Sequence, residues 1–261
     1  MRFYKPISLA IGILFSVNSY ADGILEDEPY LIGWSKVITL SAGPAWAWPG
    51  DDQTLGRLYV YPVNFDEVHR FRGSKDASTL GTGEVFLALQ HQTGPNMIGR
   101  LGLAFAGSSQ VEVNGTMDLI GVPSVANYSY HINHTRVAIK GLLATDNPGY
   151  YVQPYLSGSF GIGFNHAYSF QTQPPVYLLN PGVALLQLGY QSNTTQGFSF
   201  TLGAGVQKSL SRHWQVGLGY EFADWGKSRL NNEMPDPWGY GYPKLSNLYT
   251  HELQFSLSFI C

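Results

Sequence analysis

Residues 198–207 read FSFTLGAGVQ, with apolar side chains at every second position. Phe198, Phe200, Leu202, Ala204 and Val206 share one face, and Ser199, Thr201, Gly203, Gly205 and Gln207 share the other. A period of two is that of an extended strand. The polar face decides more than the period does. A strand wetted on one side carries Lys and Glu there, whereas this face holds glycine and hydroxyls, which suit a crowded interior. The phenylalanines are therefore assigned to the outside, against lipid. In hydrocarbon every backbone N–H and C=O must find a partner within the protein, so such a sheet has to close on itself.

The same alternation recurs at residues 35–46, 82–92, 97–108, 128–144, 150–165, 197–209, 214–225 and 248–260, which predicts eight strands. Most exceed the roughly 5–6 residues of a soluble strand and reach the roughly 9–11 needed to cross a membrane at a tilt. Three connections are tight: 93–96, 145–149 and 210–213, rich in Gly, Pro, Asn, Asp and Ser. The other four, about 47–81, 109–127, 166–196 and 226–247, are long. Short and long connections in alternation give an all-β, antiparallel, up-and-down transmembrane barrel of eight strands. Its long loops lie on the extracellular rim.

Composition agrees with that reading. Charged residues make up 13% of the chain, about half the usual share of roughly a quarter. A net charge of −3 offers nothing to nucleic acid. Arg2 and Lys5, the apolar residues 7–17, and Ser19-Tyr20-Ala21 form an export signal, so residues 1–21 are expected to be removed and 22–261 to form the barrel. The apolar run is too short to span a bilayer as a helix, which takes about 20 residues. Cys261 is the one cysteine, which excludes an intrachain disulfide.

Strand parity sorts the side chains. Glu84, Arg100, Arg136, Lys140, Glu221 and Glu252 fall on inward positions, three acids against three bases. Buried charges are costly unless paired, so these six predict an ion-pair network filling the lumen. Phe198, Phe200, Leu202, Val216, Leu218, Leu253, Phe255, Leu257 and Phe259 face lipid. Tyr128, Tyr130, Trp214, Trp225 and Tyr249 fall near strand ends and are expected at the membrane–water interface. In the fourth long loop Trp238, Tyr240 and Tyr242 are candidate binding anchors. His131 and His134 lie three apart on one strand, point to opposite faces and cannot chelate one metal. His251 is placed outward near the long-loop rim. No catalytic residue, metal site or cofactor is assigned.

Two segments carry a family resemblance. HWQVGLGYEFADWGKS, residues 213–228, and LYTHELQFSLSFIC, residues 248–261, resemble the last two strands of the small outer-membrane β-barrels of Gram-negative bacteria, of the OmpA transmembrane-domain and OmpX type. The resemblance implies an integral outer-membrane location, an ion-paired plug, and recognition of the final strand by the barrel-assembly machinery. In that family the last strand usually ends on an aromatic residue. Here Phe259 is followed by Ile260 and Cys261, a departure that bears on the assembly signal rather than on the strand.

An eight-stranded barrel is filled by its own side chains or holds one small ligand. The expected function is therefore non-enzymatic: a plugged barrel, set among membrane lipid and lipopolysaccharide, whose surface loops serve envelope integrity or contact with a host or cell surface. The alternatives are a lipid-modifying outer-membrane enzyme and a narrow small-molecule channel.

Overall fold

The computed structural model describes residues 33–60, 65–119, 122–146, 151–175, 177–180, 183–187, 189–232 and 241–261. The export signal at 1–21 and the loop aromatics Trp238 and Tyr240 lie outside the described residues. In chain order the first strands are β1 (Ser35–Ala47), β2 (Gln53–Val60), β3 (Phe65–Gly73), β4 (Ser78–Gly94), β5 (Met97–Ser108) and β6 (Val111–Leu119). They are followed by β7 (Val122–Thr145), β8 (Gln153–Gln173), β9 (Tyr177–Asn180), β10 (Val183–Gln187), β11 (Tyr190–Gln191) and β12 (Asn193–Ser209). Last come β13 (Trp214–Asp224), β14 (Ser228–Arg229), β15 (Asn231–Asn232), β16 (Lys244–Leu245) and β17 (Tyr249–Ile260).

Eight of these strands form a closed ring. Its order is β1, β4, β5, β7, β8, β12, β13, β17 and back to β1, with every pair antiparallel. Closure joins the first strand to the last, with Val37 opposite Ile260. Lys36 and Cys261 exchange both backbone hydrogen bonds, at 3.3 and 2.9 Å. Each strand thus has partners on both sides and the ring has no edge, the condition that a lipid surround imposes. The connections from β4 to β5, β7 to β8 and β12 to β13 lie on the rim where β1 begins and β17 ends.

Glycine permits close approach of strands in the wall. At Gly102 a Cβ would stand 1.9 Å from the Leu87 carbonyl oxygen, and at Gly161 2.1 Å from that of Val137. Any other residue would push these strands apart.

On the opposite rim the sheet extends further than the sequence reading placed it. Residues 47–81 and 109–127, expected as loops, contain β2, β3 and β6, and β7 and β8 run past their predicted ends at 128 and 165. The order β2, β3, β6 continues the sheet outward from the upper part of β7. The physical reason is visible in VEVNGTM, residues 111–117, which also alternates: Val111, Val113 and Met117 are all buried. They need an apolar partner, and a paired strand supplies one while satisfying its own backbone.

Above the ring these strands enclose an apolar core containing Leu55, Phe71, Val111, Val113, Met117 and Ile132, together with Tyr128, Tyr130, Trp225, Leu230, Leu245 and Leu248. Within the ring the faces separate cleanly. Ser199 and Thr201 are each 1% exposed, while the adjacent Phe198 and Leu202 are 65% and 60% exposed.

Candidate functional site

The interior is built in layers along the bore. In the lowest, Arg100 on β5 donates from Nε to Gln90 Oε1 at 2.8 Å and from Nη2 to Gln215 Oε1 at 2.5 Å. Gln215 Nε2 in turn donates to Gln153 Oε1 at 3.0 Å. Amide dipoles therefore hold this guanidinium.

The middle layer is ionic. Arg136 and Lys140 are four residues apart on β7, so the pleat puts both on one face. Arg136 Nη2 donates to Glu84 Oε2 and Glu221 Oε1, each at 2.8 Å. Lys140 Nζ donates to Glu84 Oε1 at 2.5 Å and Glu221 Oε2 at 2.8 Å. The four groups form a closed ring in which each carboxylate spends both oxygens on two bases. Glu84 comes from β4 and Glu221 from β13, so the ring braces three strands of which no two are neighbours in the barrel.

Four of the six lumen charges assigned from sequence come together in this way; two do not. Arg100 lies a layer lower among glutamines. Glu252 accepts hydrogen bonds from Thr250 Oγ1 at 2.8 Å and Gln254 Nε2 at 2.9 Å instead of forming an ion pair. Parity assigns a face but not a height, and two bases already saturate the two carboxylates at the height of the ring. A cavity of about 40 Å³ separates the ionic layer from the Arg100 layer. At roughly 10–15 Å³ per water it has room for about three waters.

Over the ionic ring sits a plug that sequence reasoning missed. His134 stacks on Trp225, with ring centroids 4.4 Å apart and planes 7° from parallel. Asn165 Nδ2 donates to the carbonyls of Trp225 and Lys227 at 2.8 and 2.9 Å. That leaves Asn165 Oδ1 to accept from His134 Nδ1 at 2.7 Å, which places a proton on that nitrogen. The available signal was parity: His134 shares its face with Arg136. Over this plug lies the apolar core.

That arrangement corrects three of the interfacial aromatics. Tyr128, Tyr130 and Trp225 are buried within the apolar core. Tyr128 and Tyr130 continue the inward face of Ile132 and His134 beyond the ring, where neighbouring strands cover them. Burial pushes the Tyr128 phenol up to about 12 and the Tyr130 phenol higher still, so both stay neutral. Trp214 and Tyr249 do lie on the outer face near opposite rims, beside Phe259 and Phe222 respectively.

The outer face of the ring is an apolar belt. Phe198, Leu202, Val216, Leu218, Phe255 and Leu257 are exposed on it, and Phe200, Leu253 and Phe259 are half-buried among their outward neighbours. Leu101, Leu103, Ile139, Leu156, Phe160 and Ile162 extend the belt around the other strands. Water does not tolerate an apolar surface of this extent on a soluble protein, whereas hydrocarbon does. A closed eight-stranded ring, greasy outside and charged within, answers to one environment. The chain is an integral outer-membrane β-barrel.

The remaining predicted residues fall as follows. His131 is on the outer face beside Tyr168, opposite in direction to His134. Outside the ring His251 Nδ1 hydrogen-bonds the Tyr220 hydroxyl, and its ring meets the edge of Trp48 at 5.2 Å. The Tyr242 hydroxyl accepts from Arg229 Nη1 at 2.6 Å, which ties this side chain down within its own loop. Cys261 is exposed. Among the described residues no group of three or more His, Cys, Asp or Glu is placed to hold a metal ion.

Comparison with known proteins gives neither a matching family model nor a matching curated protein. Solved structures do match. Neisserial surface protein A shares 11% identity, covering 87% of this chain and 98% of its own, with a TM-score of 0.38. The outer-membrane protease OmpT of Escherichia coli shares 7%, covering 91% and 99%, with a TM-score of 0.40. The outer-membrane protein OprG of Pseudomonas aeruginosa shares 12%, covering 88% and 97%, with a TM-score of 0.40.

Proposed function

We propose that the barrel is a non-conducting, non-enzymatic anchor that holds a β-structured head outside the outer membrane. The long-loop rim faces outward, the export signal is removed, and the final strand is the segment read by the barrel-assembly machinery. The head and its loops, Tyr242 among them, serve envelope integrity or contact with another surface. One observation carries this reading. The ring of Glu84, Arg136, Lys140 and Glu221 spans the bore, and the His134–Trp225 plug and the apolar core lie over it. A path for solute would have to break buried ion pairs and then part a packed core.

Planar-bilayer recording of the refolded protein is the test. The expected record is flat at all voltages below membrane breakdown, and steady, reproducible single-channel steps would overturn the reading. The non-enzymatic part has its own check in lipid A from cells with and without the protein. Identical mass spectra are expected, and an altered acyl pattern would count against it.

A further inference from the structure

Where the apolar belt ends, the outer face of one sector changes character. On β8 the outward sequence Leu156, Phe160, Ile162, Phe164 gives way to His166, and on β7 Val137 and Ile139 give way upward to Thr135 and Asn133. Above that line most outward residues of β6, β7 and β8 are amides and hydroxyls. Asn114, Thr116, Asn127, Ser129, Gln171 and Gln173 line an open concavity of about 490 Å³. Glu112 supplies one carboxylate, and among the described residues no Lys or Arg lines it; Arg72, opposite Thr116 at its edge, is paired with Asp118.

Three features make this a formed surface. The inner faces of the same strands are packed on the apolar core through Val111, Val113, Tyr128 and Tyr130, so the platform is rigid. The pairing of β7 with β8 shifts register between Ser129 and His131, and Ser169 adopts a left-handed φ of 57°. Irregularities of this kind re-aim side chains next to functional surfaces. At the foot of the concavity His131 and His166 flank Tyr168, with centroids at 5.7 and 5.3 Å, and the one proton of the Tyr168 hydroxyl is within reach of Gln110 Oε1 at 3.1 Å and Asn133 Oδ1 at 3.3 Å. His131 Nδ1 is enclosed there without a hydrogen-bond partner.

We propose that this face binds neutral saccharide of the lipopolysaccharide in the surrounding leaflet. The inference rests on the reading that the long-loop rim faces outward. Amides cannot lie against acyl chains without cost, so this sector stands beside whatever rises above the hydrocarbon. In the outer leaflet that is sugar. A sugar hydroxyl is both donor and acceptor, and Asn and Gln offer both from one side chain. A lining with one carboxylate, whose neighbouring Arg72 is already spent on Asp118, does not complement phosphate or sulfate.

The test titrates the detergent-folded full chain with three probes, followed by calorimetry and NMR. The first is the lipid-free polysaccharide released from smooth lipopolysaccharide by mild acid. The second is a free N-glycan of host type, and the third is sucrose octasulfate. Saturable binding of the first alone is expected, weakened at least tenfold in Asn114→Ala/Gln171→Ala and unchanged in Lys227→Ala. Heat-modifiable gel mobility checks folding, and Thr116→Ala/Ser129→Ala serves as a second variant. No saturation by the first probe, binding by both double variants as strong as by the native chain, or preference for either other probe overturns the proposal. A flat bilayer record alongside absent glycan binding removes this inference and leaves the sealed-barrel reading standing.

Discussion

Glu221 and Glu252 stand directly opposite each other in the register of β13 and β17, both enclosed in the lumen. Only Glu221 is ion-paired, to Arg136 and Lys140, while Glu252 rests on a hydroxyl and an amide. Two carboxylates in one register therefore differ in what they stabilise.

Glu252→Gln is expected to shift unfolding by less than about 1 kcal/mol, since an amide keeps the local hydrogen bonds and relieves the like charge. Glu221→Gln is expected to cost about 3–5 kcal/mol, because it strips two bases of a shared partner. Urea unfolding in detergent micelles, read by heat-modifiable mobility, compares the two, and equal losses would contradict the split.

Arg136→Ala should also cost about 3–5 kcal/mol by leaving Glu84 and Glu221 with one base between them. Adding Glu84→Gln to that variant should recover part of the loss, because one stranded charge disappears. A double mutant no better than the single would show that the two residues do not act as a pair.

Leu218→Arg places a charge on the outer belt. An arginine near mid-bilayer on the lipid face costs about 2–4 kcal/mol, whereas on a wetted face it would cost almost nothing. Folding yields into phospholipid vesicles along a urea series measure the difference, and a neutral result would reverse the assignment of faces.

Asp118 ties β6 to its turn into β7. Its carboxylate accepts from the Ser124 backbone N–H at 2.9 Å and from Arg72 Nε at 2.8 Å. Chiefly through that backbone bond, its carboxyl is held below the usual carboxylate range. A group held lower in the folded state stabilises fully above its unfolded value, and the contribution fades as pH falls through the folded value. The protection factors of the β6–β7 hairpin amides, observed rates set against intrinsic rates at each pH, should therefore fall as pH drops below the ordinary carboxylate range. Asp118→Asn should show low protection throughout, with no further loss over that range.

Trp225→Ala removes the ring that covers His134 and part of the apolar core. A cost of about 3–5 kcal/mol is expected from the cavity. Conductance should stay at zero, because the ionic ring below still fills the bore. Ion current in this single variant would move the seal up to the aromatic plug.

Much of this molecule was legible in a period of two. Parity is a local property, set by the pleat and by nothing beyond neighbouring residues. It located the eight ring strands, separated Phe198 from Ser199, and put Arg136 and Lys140 on one face. It could not assign heights, because those depend on how the strands are sheared when β1 meets β17. Only the closed ring therefore determined that Glu84 and Glu221 share two bases while Arg100 and Glu252 take amide and hydroxyl partners. The head was hidden for a related reason. Tyr128 and Trp225 look the same in sequence whether they end in an interface or in a core, and VEVNGTM becomes a strand only when β3 and β7 are there to pair with it. Side-chain direction belongs to the sequence; the distance between two side chains across the bore belongs to the tertiary structure.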